Sequence, residues 1–166
     1  MKYKVADCKE EVDFGDMDNT FFLIGLLNEF MNRFQTVGDS FFEEISWKQC
    51  FAIVCLGFFE QPPSLKELSE LMGSSHQNVK QLLLKLERAG FVTFVADESD
   101  RRVQRIVVTE KTKEFNQKND APSADFMKQL FEDVDRKDLE VTIKTIMQMD
   151  DKLKILGEQF KKAKQD

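Results

Sequence analysis

Ser64-Leu65-Lys66-Glu67-Leu68-Ser69-Glu70-Leu71-Met72-Gly73-Ser74-Ser75-His76-Gln77 decides the reading of this chain, because two helix starts and one helix stop fall within fourteen residues. In Ser64 to Glu67 the serine hydroxyl can accept the third helical N–H while the glutamate carboxylate bonds back to the serine amide, the reciprocal pattern of a capping box. Leu65, Leu68, Leu71 and Met72 line one face of the helix that follows, and Gly73 suits the positive φ of a helix C-terminus. Ser74-Ser75-His76-Gln77 reads as a second capping box. It opens a helix whose inner face carries Val79, Leu82, Leu83, Leu86 and Ala89, and Gly90 ends it. Two capped helices around a glycine-containing turn are the sequence form of a helix-turn-helix.

Downstream, Phe91-Val92-Thr93-Phe94-Val95 and Val103 to Thr109 are β-branched and aromatic runs flanking a polar linker, Ala96 to Arg102, which predicts a β-hairpin wing. Upstream, Asn19 to Val37 places Phe22, Leu23, Leu26, Leu27, Phe30, Met31 and Phe34 on one wide stripe, a first long helix expected to break at Gly38. A second helix is expected over Trp47 to Phe59, with Pro62 and Pro63 stopping it. From Glu110 helical character resumes, with a break expected near Ala121-Pro122-Ser123. A last helix from about Arg136 carries Leu139, Ile143, Ile146, Met147, Leu153, Leu156 and Phe160. So small a domain offers little core to cover that stripe; a second copy of the chain would cover it, and the alternative is a stripe folded back on its own chain.

The fold class is therefore mainly α with a small β-hairpin wing, a winged helix-turn-helix with N- and C-terminal dimerisation helices. Three regions form one intertwined domain: 1-45, an N-terminal segment and dimerisation helix; 46-113, the winged helix-turn-helix; and 114-166, C-terminal dimerisation helices. At 166 residues one core is the natural outcome. No apolar run approaches the roughly 20 residues that span a bilayer, and Met1 to Asp18 lacks the apolar stretch of a secretion signal, so a cytoplasmic location without membrane contact is expected. The net charge of −6 excludes indiscriminate nucleic-acid binding, yet Ser64 to Lys113 holds nine bases against seven acids, +2, leaving −8 for the rest.

The three cysteines, Cys8, Cys50 and Cys55, cannot all pair within one chain and lack metal-ligand spacing. Cys50 and Cys55 lie in an apolar run and read as small buried hydrophobes, whereas Cys8, in a polar segment, is a candidate for oxidation. Sixteen phenylalanines read as packing volume. There is no Gly-rich phosphate loop and no nucleophile with a spaced histidine, so no catalytic residue, metal site or cofactor is expected.

The order of these elements, with Leu82-Leu83-Leu84-Lys85-Leu86-Glu87-Arg88-Ala89-Gly90-Phe91-Val92, then Asp100-Arg101-Arg102, then Val108-Thr109-Glu110-Lys111, resembles the MarR family of bacterial transcriptional regulators. The resemblance covers about Ser46 to Lys113 by motif and most of the remainder by helix order. It implies an intertwined two-fold homodimer on a palindromic double-stranded DNA operator, probing the major groove with the second helix of the motif and the minor groove with a wing arginine. It also implies a repressor responsive to a small molecule. Two departures stand out: Glu98-Ser99 occupy the place of the proline that often precedes the wing's Asp-x-Arg, and Phe21 and Phe22 stand where the thiol-based branch carries its peroxide-sensing cysteine.

At about 100° per residue, the inner stripe of the second helix leaves Gln77, Lys80, Gln81, Leu84 and Arg88 outward. Gln can bond bidentately to adenine, Lys can reach guanine or phosphate, and Leu84 can touch a thymine methyl. Arg88 suits backbone phosphate, as does His76, and Ser74 and Ser75 can donate at the helix N-terminus. With Lys85, Asp100, Arg101 and Arg102 these make the expected DNA surface: Asp100 would bond a nearby guanidinium or amide to hold the tip, and Arg102, with Arg101 as substitute, would enter the minor groove. The competing reading of this helix face is a solvated surface. Phe30, Phe34, Trp47 and Phe51 are candidates for an effector pocket, the competing reading being core. Two other functions fit the same residues: a winged-helix protein-interaction module, favoured by the overall acidity and by Asp97 and Glu98 in the wing, and a redox-sensing regulator acting through Cys8.

Overall fold

The computed structural model describes residues 2–3, 12–13 and 15–164. The elements are β1 (Lys2–Tyr3), β2 (Val12–Asp13), α1 (Asn19–Phe41), α2 (Trp47–Leu56), α3 (Leu65–Leu71), α4 (His76–Arg88), β3 (Val92–Ala96), β4 (Gln104–Val108), α5 (Glu110–Leu130) and α6 (Arg136–Lys162). Cys8 lies outside the described residues, and with it the redox reading. The chain divides into two compact units, residues 1–115 and 116–166.

In the first unit, α1 is capped by Asp18, whose side chain accepts the Thr20 amide at 2.8 Å. The helix does not break at Gly38. It continues to Phe41, and Gly38 is buried inside it because a Cβ there would lie 2.9 Å from the Trp47 Cβ. The glycine is a point of close approach between α1 and α2, and packing outweighs the ~1 kcal/mol that glycine costs in a helix interior. Asp39 Oδ1 then accepts the Trp47 amide at 2.6 Å, and Ser46 and Gln49 form a complete capping box that starts α2. That box was readable in Ser46-Trp47-Lys48-Gln49. α2 stops at Leu56, three residues short of the expected end.

The Ser64–Glu67 capping box is present, with both reciprocal bonds made. The second box shifts by one residue: Ser75, not Ser74, is the N-cap of α4, accepting the Asn78 amide at 3.2 Å. The reason lies in the turn, where Gly73 takes φ +59° and the Ser74 amide is spent on the Ser69 carbonyl at 3.1 Å. Gly90, at φ +82°, closes α4 in a Schellman arrangement: the Phe91 amide bonds the Leu86 carbonyl and the Gly90 amide bonds Glu87.

β3 and β4 pair antiparallel, from Val92 opposite Val108 to Ala96 opposite Gln104. The hairpin is tied to the start of α3 by a bridge between Ser64 and Arg105 and by the Ile106 amide donating to the Pro63 carbonyl at 2.9 Å. Beneath these elements Leu68, Val79, Leu83, Leu86, Phe91, Val92 and Ile106 form a core almost closed to solvent. Phe115, at the start of α5, packs its ring 5.4 Å from Phe91 and 5.6 Å from Phe42. Thr109 and Thr112 hydroxyls both donate to the Phe91 carbonyl, and Lys111 Nζ donates to the Ala89 carbonyl at the end of α4, at 3.1 Å. Cys50 and Cys55 are buried in this core, and burial raises both thiols, Cys50 to about 11. They are the small buried hydrophobes their apolar setting suggested.

In the second unit α5 runs unbroken through Pro122 to Leu130, contrary to the expected break. Proline removes one helical N–H and crowds the preceding turn, but the helix here tolerates both. α6 is capped by Asp135, which accepts the amides of Lys137 and Asp138. None of its residues is buried. On its apolar stripe Ile143, Met147, Leu153 and Phe160 stand between 49% and 65% exposed, a row without cover.

Candidate nucleic-acid interface

The inward stripe of α4 fixes its outward one. With Val79, Leu83 and Leu86 buried, His76, Gln77, Lys80, Gln81, Lys85 and Arg88 are exposed and Leu84 is half-buried. These residues divide between two cavities flanking the helix. On one side a groove of about 890 Å³ brings His76, Lys80, Leu84 and Glu87 of α4 together with Arg101 and Arg102 of the wing and Lys66 of α3. On the other side a cavity of about 750 Å³ is bounded by Ser74, Gln81 and Lys85, by Met31 and Gln35 of α1, and by Trp47 and Phe51 of α2. Gln77, Arg88 and Asp100 are exposed and border neither; Ser75 is the exposed N-cap residue.

Of the four aromatic residues proposed for a pocket, Trp47 and Phe51 line that second cavity. Phe30 and Phe34 do not. Their rings stack at 5.8 Å, and Phe34 meets Trp47 edge to face at 4.6 Å, so the ladder buttresses the Trp47 wall.

In the groove, positive charge is concentrated at the wing tip. Among the described residues Arg101 and Arg102 form no ion pair. Asp100 Oδ1 accepts the Arg102 amide at 3.0 Å, the amide partner expected for it. The guanidinium goes elsewhere: Arg105 Nε donates to Asp97 Oδ2 at 2.6 Å, and its Nη1 donates to Glu67 Oε2 at 2.9 Å. Asp97 Oδ1 also collects the amides of Ser99 and Asp100 at 2.8 and 3.0 Å. Hydrogen bonds from Ser99 and then Arg105 hold the Asp97 carboxyl far below the usual carboxylate range, and the Ser64 amide and then Arg105 lower that of Glu67. Asp97 is thus a structural acid whose charge is compensated. The sequence reading missed the Asp97–Arg105 pair because its partners are eight residues apart; the hairpin register, with Val95 opposite Arg105, was the signal that could have placed Asp97 diagonally across from Arg105 on the same face.

Chemically the surface offers hydrogen-bonding and cationic groups on a helix of groove-fitting width, a hydroxyl-capped N-terminus, and a hairpin carrying two unpaired guanidiniums. Among the described residues no group of three or more His, Cys, Asp or Glu is arranged to hold a metal ion, and no helix is long and apolar enough to cross a membrane.

Residues 45–103 match the model of the MarR family. No curated protein matches the chain. Among solved structures it is similar to a MarR/EmrR-family transcriptional regulator from Acinetobacter sp. ADP1, at 16% identity over 83% of this chain and 99% of that one, TM-score 0.73. It is similar to MepR of S. aureus, solved as a DNA complex, at 16% identity over 82% and 99% of the two chains, TM-score 0.71. A MarR transcriptional regulator from Methanosarcina mazei Go1 reaches 25% identity over 80% of this chain and 98% of that one, TM-score 0.66. The matched region covers α2, α3, α4 and the wing as far as Val103, and the resemblance drawn from the sequence holds over it: residues 45–103 match the MarR family, and the chain has the fold of the MarR transcriptional regulators.

Proposed function

We propose that the chain is a transcription regulator, a repressor, that reads double-stranded DNA as a homodimer on a palindromic operator. The observation that carries this reading is the convergence of His76, Lys80 and Leu84 with the unpaired Arg101 and Arg102 on one groove. With α4 in a major groove, Gln77, Lys80, Gln81 and Leu84 reach base edges, while Ser74, Ser75, His76, Lys85 and Arg88 meet phosphates. The wing then follows the backbone, and Arg102, with Arg101 beside it, enters the adjacent minor groove. The similar MepR structure is a DNA complex, which supports the assignment.

The uncovered apolar row of α6 supports the homodimer, because a second copy would bury a surface that costs free energy in water. The cavity walled by Trp47 and Phe51 supports control by a small molecule: it touches Gln81 and Lys85, so an occupant would bear directly on the DNA-reading helix. The competing interaction-module reading loses one of its supports, since Asp97 is paired with Arg105, while Glu98 and the overall acidity stay in its favour.

Selection from a pool of random duplexes at low and moderate salt tests the proposal. A palindrome with half-sites about one helical turn apart, abolished in Gln77→Ala/Lys80→Ala and weakened in Arg102→Ala, is the expected result. No enrichment at either salt would refute it.

A further inference from the structure

Arg105 joins three pieces of the molecule: β4, the wing turn and the start of α3. It sits on β4 opposite Val95, and its backbone bridges Ser64 at the start of α3. Its Nε reaches Asp97 at the wing turn and its Nη1 reaches Glu67 in the first turn of α3, with the Pro62 carbonyl 3.5 Å from the same nitrogen. Glu67 Oε2, the oxygen that receives Nη1, is also the one that accepts the Ser64 amide at 2.7 Å. One carboxylate oxygen therefore caps α3 and anchors the wing. At the other end, Asp97 Oδ1 gathers the amides of Ser99 and Asp100, and the Asp100 carboxylate holds the amide of Arg102. An unbroken series of charge-assisted bonds thus runs from the helix-turn-helix to the turn that presents Arg101 and Arg102. The Arg105 charge is divided between two carboxylates.

We propose that Arg105 is a positioning residue for the wing: it fixes the tip against α3, and so sets where Arg101 and Arg102 stand relative to Lys80 across the groove. This rests on the DNA-binding reading and deepens it. The device needs arginine, because only a planar guanidinium presents diverging Nε and Nη1 donors to two carboxylates at once; a lysine ammonium is a point charge on a flexible stem.

The test is a mutant cycle read in two ways. In the free protein, hydrogen exchange compares wild type with Arg105→Gln and Arg105→Lys: faster exchange at amides 97–103, with α4 unchanged, is expected in both. On the selected operator, Arg105→Gln is expected to weaken binding about five- to tenfold in an otherwise native chain, and less than about twofold when Arg101 and Arg102 are already alanine. A merely stabilising residue would lower affinity equally in both backgrounds. Unchanged exchange overturns the brace. Equal weakening in both backgrounds overturns the positioning role even where exchange rises. If wild type selects no duplex, the DNA-binding reading fails and takes the positioning role with it, while the exchange result still decides whether the brace exists.

Discussion

The helix-turn-helix with its wing and the long helix α6 are both amphipathic, yet one closes the centre of its apolar face to solvent and the other buries no residue of its face. Leu68, Leu83, Leu86 and Phe91 have no exposed surface, whereas Leu153 and Phe160 on α6 remain 64% and 65% exposed. Both segments carry a clear apolar stripe, so the difference is one of partners. Short helices at a tight turn bury each other's stripes locally. A 27-residue helix with its stripe open lacks the packing from which helices in proteins draw most of their stability.

Truncation tests that contrast most strongly in the buried region. Leu83→Ala is expected to cost about 2–5 kcal/mol by opening a cavity in the closed core, measured by urea unfolding at fixed protein concentration. Gly38→Ala should follow at about 1–3 kcal/mol, because the new methyl meets the Trp47 side chain where α1 and α2 approach; an unchanged unfolding midpoint would contradict the close-approach role of this glycine. Ser64→Ala removes the α3 cap and should cost about 1 kcal/mol.

On α6 the same type of change carries a different signature. In a solitary chain Met147→Lys would alter stability by less than about 0.5 kcal/mol. Paired copies predict instead a fall in sedimentation mass towards the monomer and a melting temperature that depends on protein concentration. A mass independent of the substitution would mean that another surface covers the stripe.

The smallest expected effect is on pH. Asp97 and Glu67 have carboxyls lowered from ordinary values of 3.8 and 4.5, so their contribution to stability is complete above those values and disappears as pH falls below them through the depressed folded values. Asp97→Asn should therefore destabilise the protein at pH 7 by more than at pH 3. Thermal melts showing a difference that widens on acidification would contradict the ion-pair account.

The elements that sequence revealed are those whose determinants are local. The Ser64 capping box, the Gly73 and Gly90 stops and the two β-branched runs of the wing each act within a few residues, and each is present in the structure. What escaped depends on residues distant in sequence. Gly38 looks like a helix break until Trp47 is seen against it, and Pro122 looks like another although α5 passes through it. Of the candidate surface, the outward face of α4 was legible from period alone. Its division between two cavities was not, nor was the withdrawal of Arg105 and Asp97 into a brace, because both follow from how the wing folds back onto α3.

The most direct test of DNA reading by α4 and the wing together is the dependence of operator affinity on salt. The account predicts that log K falls linearly with log salt, and that replacing both Arg101 and Arg102 with alanine makes the slope shallower by about 0.9 for each phosphate the wing no longer neutralises. A slope unaltered by that double substitution, or a protein that binds no duplex at any salt, would contradict it.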